Sequence, residues 1–179
     1  MKNKNLAFID IETTGFNVEI QEIIEIGCII VRQQDGVLGG IVEEFELKVK
    51  PEHLETADPE ALSVNGYSES EWLFAMNLEQ AMKILAEKTK DCIFVAHNVA
   101  FDWSFIAKAF ATTGVENQMY YAKIDTISVA FAKLHRDASV TKYSLGALCD
   151  RFGITNDRAH TALADTRATV EVYRKLLEL

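Results

Sequence analysis

The sequence predicts an α/β fold, a mixed sheet with helices packed against it. Residues 6–49 read as three consecutive strands, a meander with no helix between them. Two short runs, residues 6–9 and 92–96, are wholly apolar and therefore need cover on both faces. From residue 78 onward, helical patterns alternate with short strands, the order that lays helices on a sheet.

The first strand opens with Leu6, Ala7, Phe8 and Ile9, then meets Asp10 and Glu12 on either side of Ile11. Residues 23–32 form a second strand, interrupted by Glu25 and by Gly27, which permits close backbone approach. A turn over 33–36 leads to a third strand, residues 41–49, whose period of two marks it as antiparallel and half-exposed. Pro51 ends it. Residues 52–70 are polar and irregular, with a short helix over 59–64 that stops at Asn65-Gly66. Residues 78–88 are amphipathic, with Leu78, Ala81, Met82 and Leu85 on one stripe. The apolar strand 92–96 follows, then Asn98 as N-cap of a helix over 99–113 that Gly114 stops. Residues 120–124 are a short strand, and Asp125 or Thr126 caps a helix over 127–135. Ser144 caps a helix ending near Phe152-Gly153, and His160 precedes a last helix that runs to Leu179.

Without repeats, and with two prolines in 179 residues, the chain reads as one domain, 1–179. No apolar run is long enough to span a membrane, and the N-terminus lacks a signal-peptide apolar region, so a cytoplasmic protein is expected. Cys28, Cys92 and Cys149 are odd in number, far apart and flanked by apolar residues. They read as small buried hydrophobes, neither a disulfide set nor a zinc site. The net charge of −9 disfavours duplex binding through a basic face. It is compatible with a nucleic-acid enzyme whose positive charge is supplied by bound divalent ions.

Asp10 and Glu12 are two apart in a strand, so they share a face about 6–7 Å apart along the chain. Either the strand ends there and the acids are solvated, or a divalent cation offsets their repulsion and lost hydration. The Thr13-Thr14-Gly15 turn adds hydroxyls and bare backbone suited to a phosphate or sugar. Asp102 has Phe105, Ile106 and Ala109 on its helical face, and Asp165 has Ala168, Val172 and Leu176. Each sits on a buried stripe and taken alone could be an ion-paired core residue. Together with the strand pair, they point to a shared metal site rather than four separate buried salt bridges. His160, in the loop before its helix, is placed to accept a proton near neutral pH. His97 reads as structural, and His53 and His135 carry no signal.

Asp10-Ile11-Glu12-Thr13-Thr14-Gly15, His97-Asn98-Val99-Ala100-Phe101-Asp102 and His160-Thr161-Ala162-Leu163-Ala164-Asp165 resemble the three motifs of the DEDDh 3′–5′ exonucleases. That group contains the polymerase III epsilon subunit, ribonuclease T and oligoribonuclease. The stretch Tyr143 to Cys149 and Phe152-Gly153-Ile154 is similar to the segment before the third motif. The resemblance implies a ribonuclease H-like fold with a five-stranded mixed sheet flanked by α-helices. It implies two Mg2+ or Mn2+ ions held by Asp10, Glu12, Asp102 and Asp165, with His160 as general base. It also implies that Thr13, Thr14, Gly15, Val64, Asn65, Asn98 and Phe101 hold the terminal nucleotide of a single-stranded DNA or RNA 3′ end. Asn65-Gly66 departs from the His-Gly of epsilon-like members. The chain stops at its last helix, without the tail by which epsilon holds its polymerase. A free-standing exonuclease releasing nucleoside 5′-monophosphates is expected. A proofreading subunit attached to a polymerase and a catalytically idle nucleic-acid-binding module are the alternatives, and a homodimer is a further partner option.

Overall fold

In the computed structural model, which describes residues 1–156 and 161–179, strand β1 (Leu6–Thr13) is the centre of a five-stranded sheet ordered β3-β2-β1-β4-β5. The strand does not stop at the acids: pairing with β2 (Ile23–Gln34) continues through Asp10↔Gly27 and Glu12↔Glu25. β1, β2 and β3 (Val37–Lys48) are antiparallel, and β4 (Ile93–Ala96) and β5 (Lys123–Asp125) add in parallel. The sheet is therefore mixed and five-stranded, as expected.

The third strand begins earlier than its period of two suggests. Asp35 and Gly36 both have positive φ, 51° and 84°, the two-residue turn whose twist matches a hairpin. Pairing starts at once with Gln34↔Val37. Gly39 and Gly40 hide this start by breaking the alternation. The fifth strand is shorter than residues 120–124 and is shifted onto Asp125.

α1 (Pro59–Val64) and α2 (Leu78–Lys88) follow the predicted spans. α3 (Val99–Thr113), α4 (Thr126–Leu134), α5 (Leu145–Phe152) and α6 (Ala162–Glu178) complete the fold. α2 and α3 cover one face of the sheet, where Met82, Leu85, Phe105 and Ile106 pack on Ala7, Ile9, Ile11 and Cys28. α6 covers the other, where Val170 and Tyr173 meet Leu6, Phe8, Ile29 and Val95. Phe8 is fully buried with its ring 5.4 Å from Tyr173 in an edge-on pair, and burying such a ring stabilises by about 1.5–3 kcal/mol. α4 and α5 pack on the outer side of α6 through Ala130, Leu148, Ala168 and Leu176. All three cysteines are free and buried. Among the described residues no helix is long and apolar enough to cross a membrane.

Two expected caps are not made by the expected side chains. Asn98 stands at the N-cap position of α3 in a left-handed conformation (φ 77°), a geometry that turns its side chain away from the helix amides. Those amides go instead to Asp125, whose Oδ1 accepts from Asn98 N at 3.1 Å and Val99 N at 3.2 Å. Ser144 heads α5 but makes no side-chain cap bond. Asp125 does cap α4, accepting from Ser128 N and Oγ.

Candidate active site

Asp10 and Glu12 lie on the face of β1 that carries Leu6 and Phe8, so they point toward α6. Asp165 is the fourth residue of α6. One carboxylate oxygen from each of the three lies within 4.8 Å of the others. Burial followed by the charges of Asp102, Asp165, Glu12 and Glu25 pushes the Asp10 carboxyl well above its usual range. Glu12 is pushed from 4.5 to about 8, by burial first and then by Asp165, Glu25 and Asp102. Among the described residues, the charges named as acting on Asp10 and Glu12 are all carboxylates. Convergent hard oxygens are a donor set that fits Mg2+ or Mn2+.

The placement of Asp165 follows from β2. Gly27 lies opposite Asp10, and a Cβ there would stand 2.3 Å from the Ala162 carbonyl carbon. Only glycine lets the first turn of α6 sit this low on the sheet. Glu25, 3% exposed, accepts the Ala162 N–H at 2.7 Å and so satisfies a first-turn amide from another strand. Burial, then Glu46, pushes Glu25 up to about 7, against the Ala162 bond and Lys48. Asn156 donates to Asp165 Oδ1 at 2.6 Å. Glu25 interrupts an apolar strand in the sequence, but that signal does not say which helix it anchors.

Asp102 comes from the opposite face. β4 pairs with β1 only as far as Phe8, so the backbone of β1 beyond that point lacks a strand partner there. The Asp102 carboxylate is 2% exposed, and the backbone amides of Asp102 and Ile11 act to lower its pKa. Burial still dominates and raises it to about 7. It lies outside the three-carboxylate cluster but is the first charge to act on Asp10.

The expected nucleotide contacts divide in two. Thr13, Thr14, Gly15 and Asn65 are buried. Thr13 Oγ1 donates to Gly15 O, Thr14 Oγ1 accepts from Glu22 N, and Asn65 Nδ2 donates to Thr13 O at 3.1 Å. These polar groups brace the end of β1 against the β1–β2 loop and α1. Val64 and Asn98 are exposed, and Phe101 is half-buried. The sequence reading missed Phe16, 81% exposed with its ring 6.0 Å from Phe101. An aromatic directly after the Thr-Thr-Gly turn was its available signal. His97 is structural, as expected. Nδ1 lies 2.8 Å from Thr126 Oγ1 and Nε2 donates to Tyr143 O at 3.0 Å, while burial lowers its pKa. His160 lies outside the described residues. A cavity of about 570 Å3 between the β1–β2 loop and α3 contains none of the four acids.

Comparison with known proteins agrees with the fold. The sequence matches the RNase T exonuclease family over residues 7–173. It is 31% identical to ribonuclease T of Shewanella sp. strain ANA-3 over 180 positions, covering 92% of this chain and 78% of that protein. It is 33% identical to the 3′-5′ exonuclease DinG of Staphylococcus aureus, covering 93% of this chain but 17% of the longer protein. The fold superposes on E. coli exonuclease I in complex with a dA16 oligonucleotide at a TM-score of 0.79 and 19% identity, spanning 98% of this chain and 41% of that one. Because the match runs from the first strand to the last helix and takes in the whole carboxylate cluster, the chain belongs to the RNase T family of exonucleases.

Proposed function

We propose that residues 1–179 form one exonuclease domain that removes nucleoside 5′-monophosphates from the 3′ end of single-stranded nucleic acid. The convergence of Asp10, Glu12 and Asp165 carries this reading. Such a cluster repels a phosphodiester unless cations neutralise it, and then it places positive charge where the scissile phosphate must sit. Asp10, Glu12, Asp165 and the neighbouring Asp102 would hold two divalent ions, which supply Lewis acidity toward the attacking and leaving oxygens. The chain's own residues do the rest. Phe16 and Phe101 offer an aromatic platform for the terminal base, with Val64 and Asn98 as exposed flanks. Thr13, Thr14, Gly15 and Asn65 act from beneath, holding the end of β1 rather than presenting hydroxyls. His160 accepts the proton of the attacking water. The names of the relatives, ribonuclease T and 3′-5′ exonuclease DinG, support the reaction class, and the dA16 complex of exonuclease I supports a single-stranded substrate. An idle module is expected to have lost an acid or the histidine, and this chain keeps them all.

The test uses matched 5′-labelled DNA and RNA 20-mers with Mg2+, with Mn2+ and with chelator. A ladder shortening stepwise from the 3′ end, absent in chelator, is expected. Early release of the 5′ label as a mononucleotide overturns the polarity. Undiminished cleavage in chelator overturns the metal site.

A further inference from the structure

The terminal-nucleotide site does not explain how a chain of net charge −9 retains the rest of a polyanionic strand. Residues 131–143, the end of α4 and the loop to α5, differ from the chain as a whole. They carry Lys133, Arg136 and Lys142 against one acid, Asp137, and that acid is already taken by Arg151 at 2.5 Å and by Ser139. Lys133, Arg136 and Lys142 are exposed, and among the described residues none is in an ion pair. The next acids along the chain are the exposed Asp150 and the half-buried Asp125, whose oxygens are occupied by Asn98, Val99 and Ser128.

Three rings belong to the same segment. Phe131, 57% exposed, is 5.7 Å from Tyr143 on one side and stacks on His135 at 5.4 Å on the other. One end of the row is tied to the start of α3, which carries Asp102, because the Tyr143 carbonyl is bonded to His97, which directly follows β4 and precedes the exposed Asn98. Exposed cations and aromatic faces alternating along one segment offer what a single strand of nucleic acid requires: charge for successive phosphates and π-faces for successive bases.

We propose that this strip is where the strand upstream of the scissile end lies, with Lys133, Arg136 and Lys142 on its phosphates and Phe131 under a base. The proposal rests on the exonuclease reading above for its direction but not for its occupant. The strip engages only substrates longer than the terminal nucleotide, so it sets length preference and salt dependence rather than the chemical step.

The test compares K133E/R136E/K142E and Phe131→Ala with wild type on two substrates: a dT20 oligomer, and the nitrophenyl ester of thymidine 5′-phosphate, which fills only the terminal site. Neutralised phosphates on a single strand each contribute about −0.7 to the slope of log K against log salt. The triple variant is therefore expected to raise KM for dT20 and to flatten its salt slope by about 2. Phe131→Ala should weaken dT20 by about 5- to 150-fold, the range for one stacked base. Both should hydrolyse the nitrophenyl ester as wild type does. Equal losses on both substrates, or unchanged KM and salt slope on dT20, overturn the strip. If wild type cleaves neither substrate, nor rU20, the exonuclease reading fails by itself. Fluorescence anisotropy of labelled dT20 and rU20 in chelator then judges the strip alone, and equal binding by wild type and the triple variant overturns it.

Discussion

Helices α3 and α6 do the same task from opposite faces of the sheet, and they do it with different physics. Each delivers an aspartate at its fourth residue, Asp102 and Asp165. Each has its first amides held by a carboxylate from elsewhere, Asp125 for α3 and Glu25 for α6. At Asp125 burial opposes the charge, but the bonds from Ser128, Val99 and Asn98 win and hold its pKa below the ordinary value. At Glu25 burial and Glu46 win, and its pKa rises to about 7. One anchor is stabilising when charged and the other is strained. The strained one belongs to the helix whose aspartate joins the half-buried cluster, where Glu25 itself adds to the repulsion on Asp10 and Glu12. A site built to bind cations gains from such strain, because a cation relieves it.

The largest expected effect tests whether the two helices serve one site. Asp102→Asn and Asp165→Asn should each lower kcat on the order of 10⁴-fold, with the double variant little worse, as for groups that act as a unit. Losses that multiply in single-turnover assays would break the equivalence. Next come the residues before the two helices. His160→Ala should cost roughly 10²–10⁴-fold in kcat and keep the metal-induced rise in melting temperature, about 2.7 kcal/mol at 100 times Kd per site. Asn98→Ala should instead act on KM. A kcat effect at Asn98 equal to that at His160 would reverse the assignment of roles.

The anchors should separate stability from metal affinity. Asp125→Ala removes several charge-assisted bonds and should cost at least about 2 kcal/mol, roughly 4–8 °C in a chain of this size. Glu25→Ala should cost less, because it also removes a buried charge, yet weaken Mn2+ binding by about 10–100-fold in a melting titration. If Glu25→Ala melts lower than Asp125→Ala with metal affinity intact, Glu25 is only a structural cap. The smallest effect is in the pH profile without metal. Glu12, Glu25 and Asp102, raised to about 8, 7 and 7, bind more protons folded than unfolded between about pH 4.5 and 8. Apo stability should therefore fall as pH rises through that window, and excess Mn2+ should reverse the trend. Asp125 has the opposite sign, losing its contribution only as pH falls below the ordinary carboxylate range. A flat melting profile in chelator from pH 5 to 8 would mean the cluster carries no strain.

The elements that the sequence determined by itself are those whose signal is local. Strand β1, the spans of α1, α2 and α3 and the buried stripes under Asp102 and Asp165 are set by periodicities of two and 3.6 and by Gly66 and Gly114 at helix ends. Three motifs in order were enough for the family. Gly27 was legible as a close approach, but its partner, the Ala162 backbone, was not. What only the tertiary structure decided is who meets whom across the chain. Asp125 takes the α3 amides that Asn98 was expected to cap, because the turn after β4 puts Asn98 in the left-handed region with β5 alongside. Thr13, Thr14 and Asn65 turn inward because buried polar groups must find partners, and the loop and α1 supply them. Glu25 reaches α6 over a separation of 137 residues. Local pattern carries the geometry of one element, whereas the pairing of a buried polar group depends on which distant donor the packed fold brings within about 3 Å.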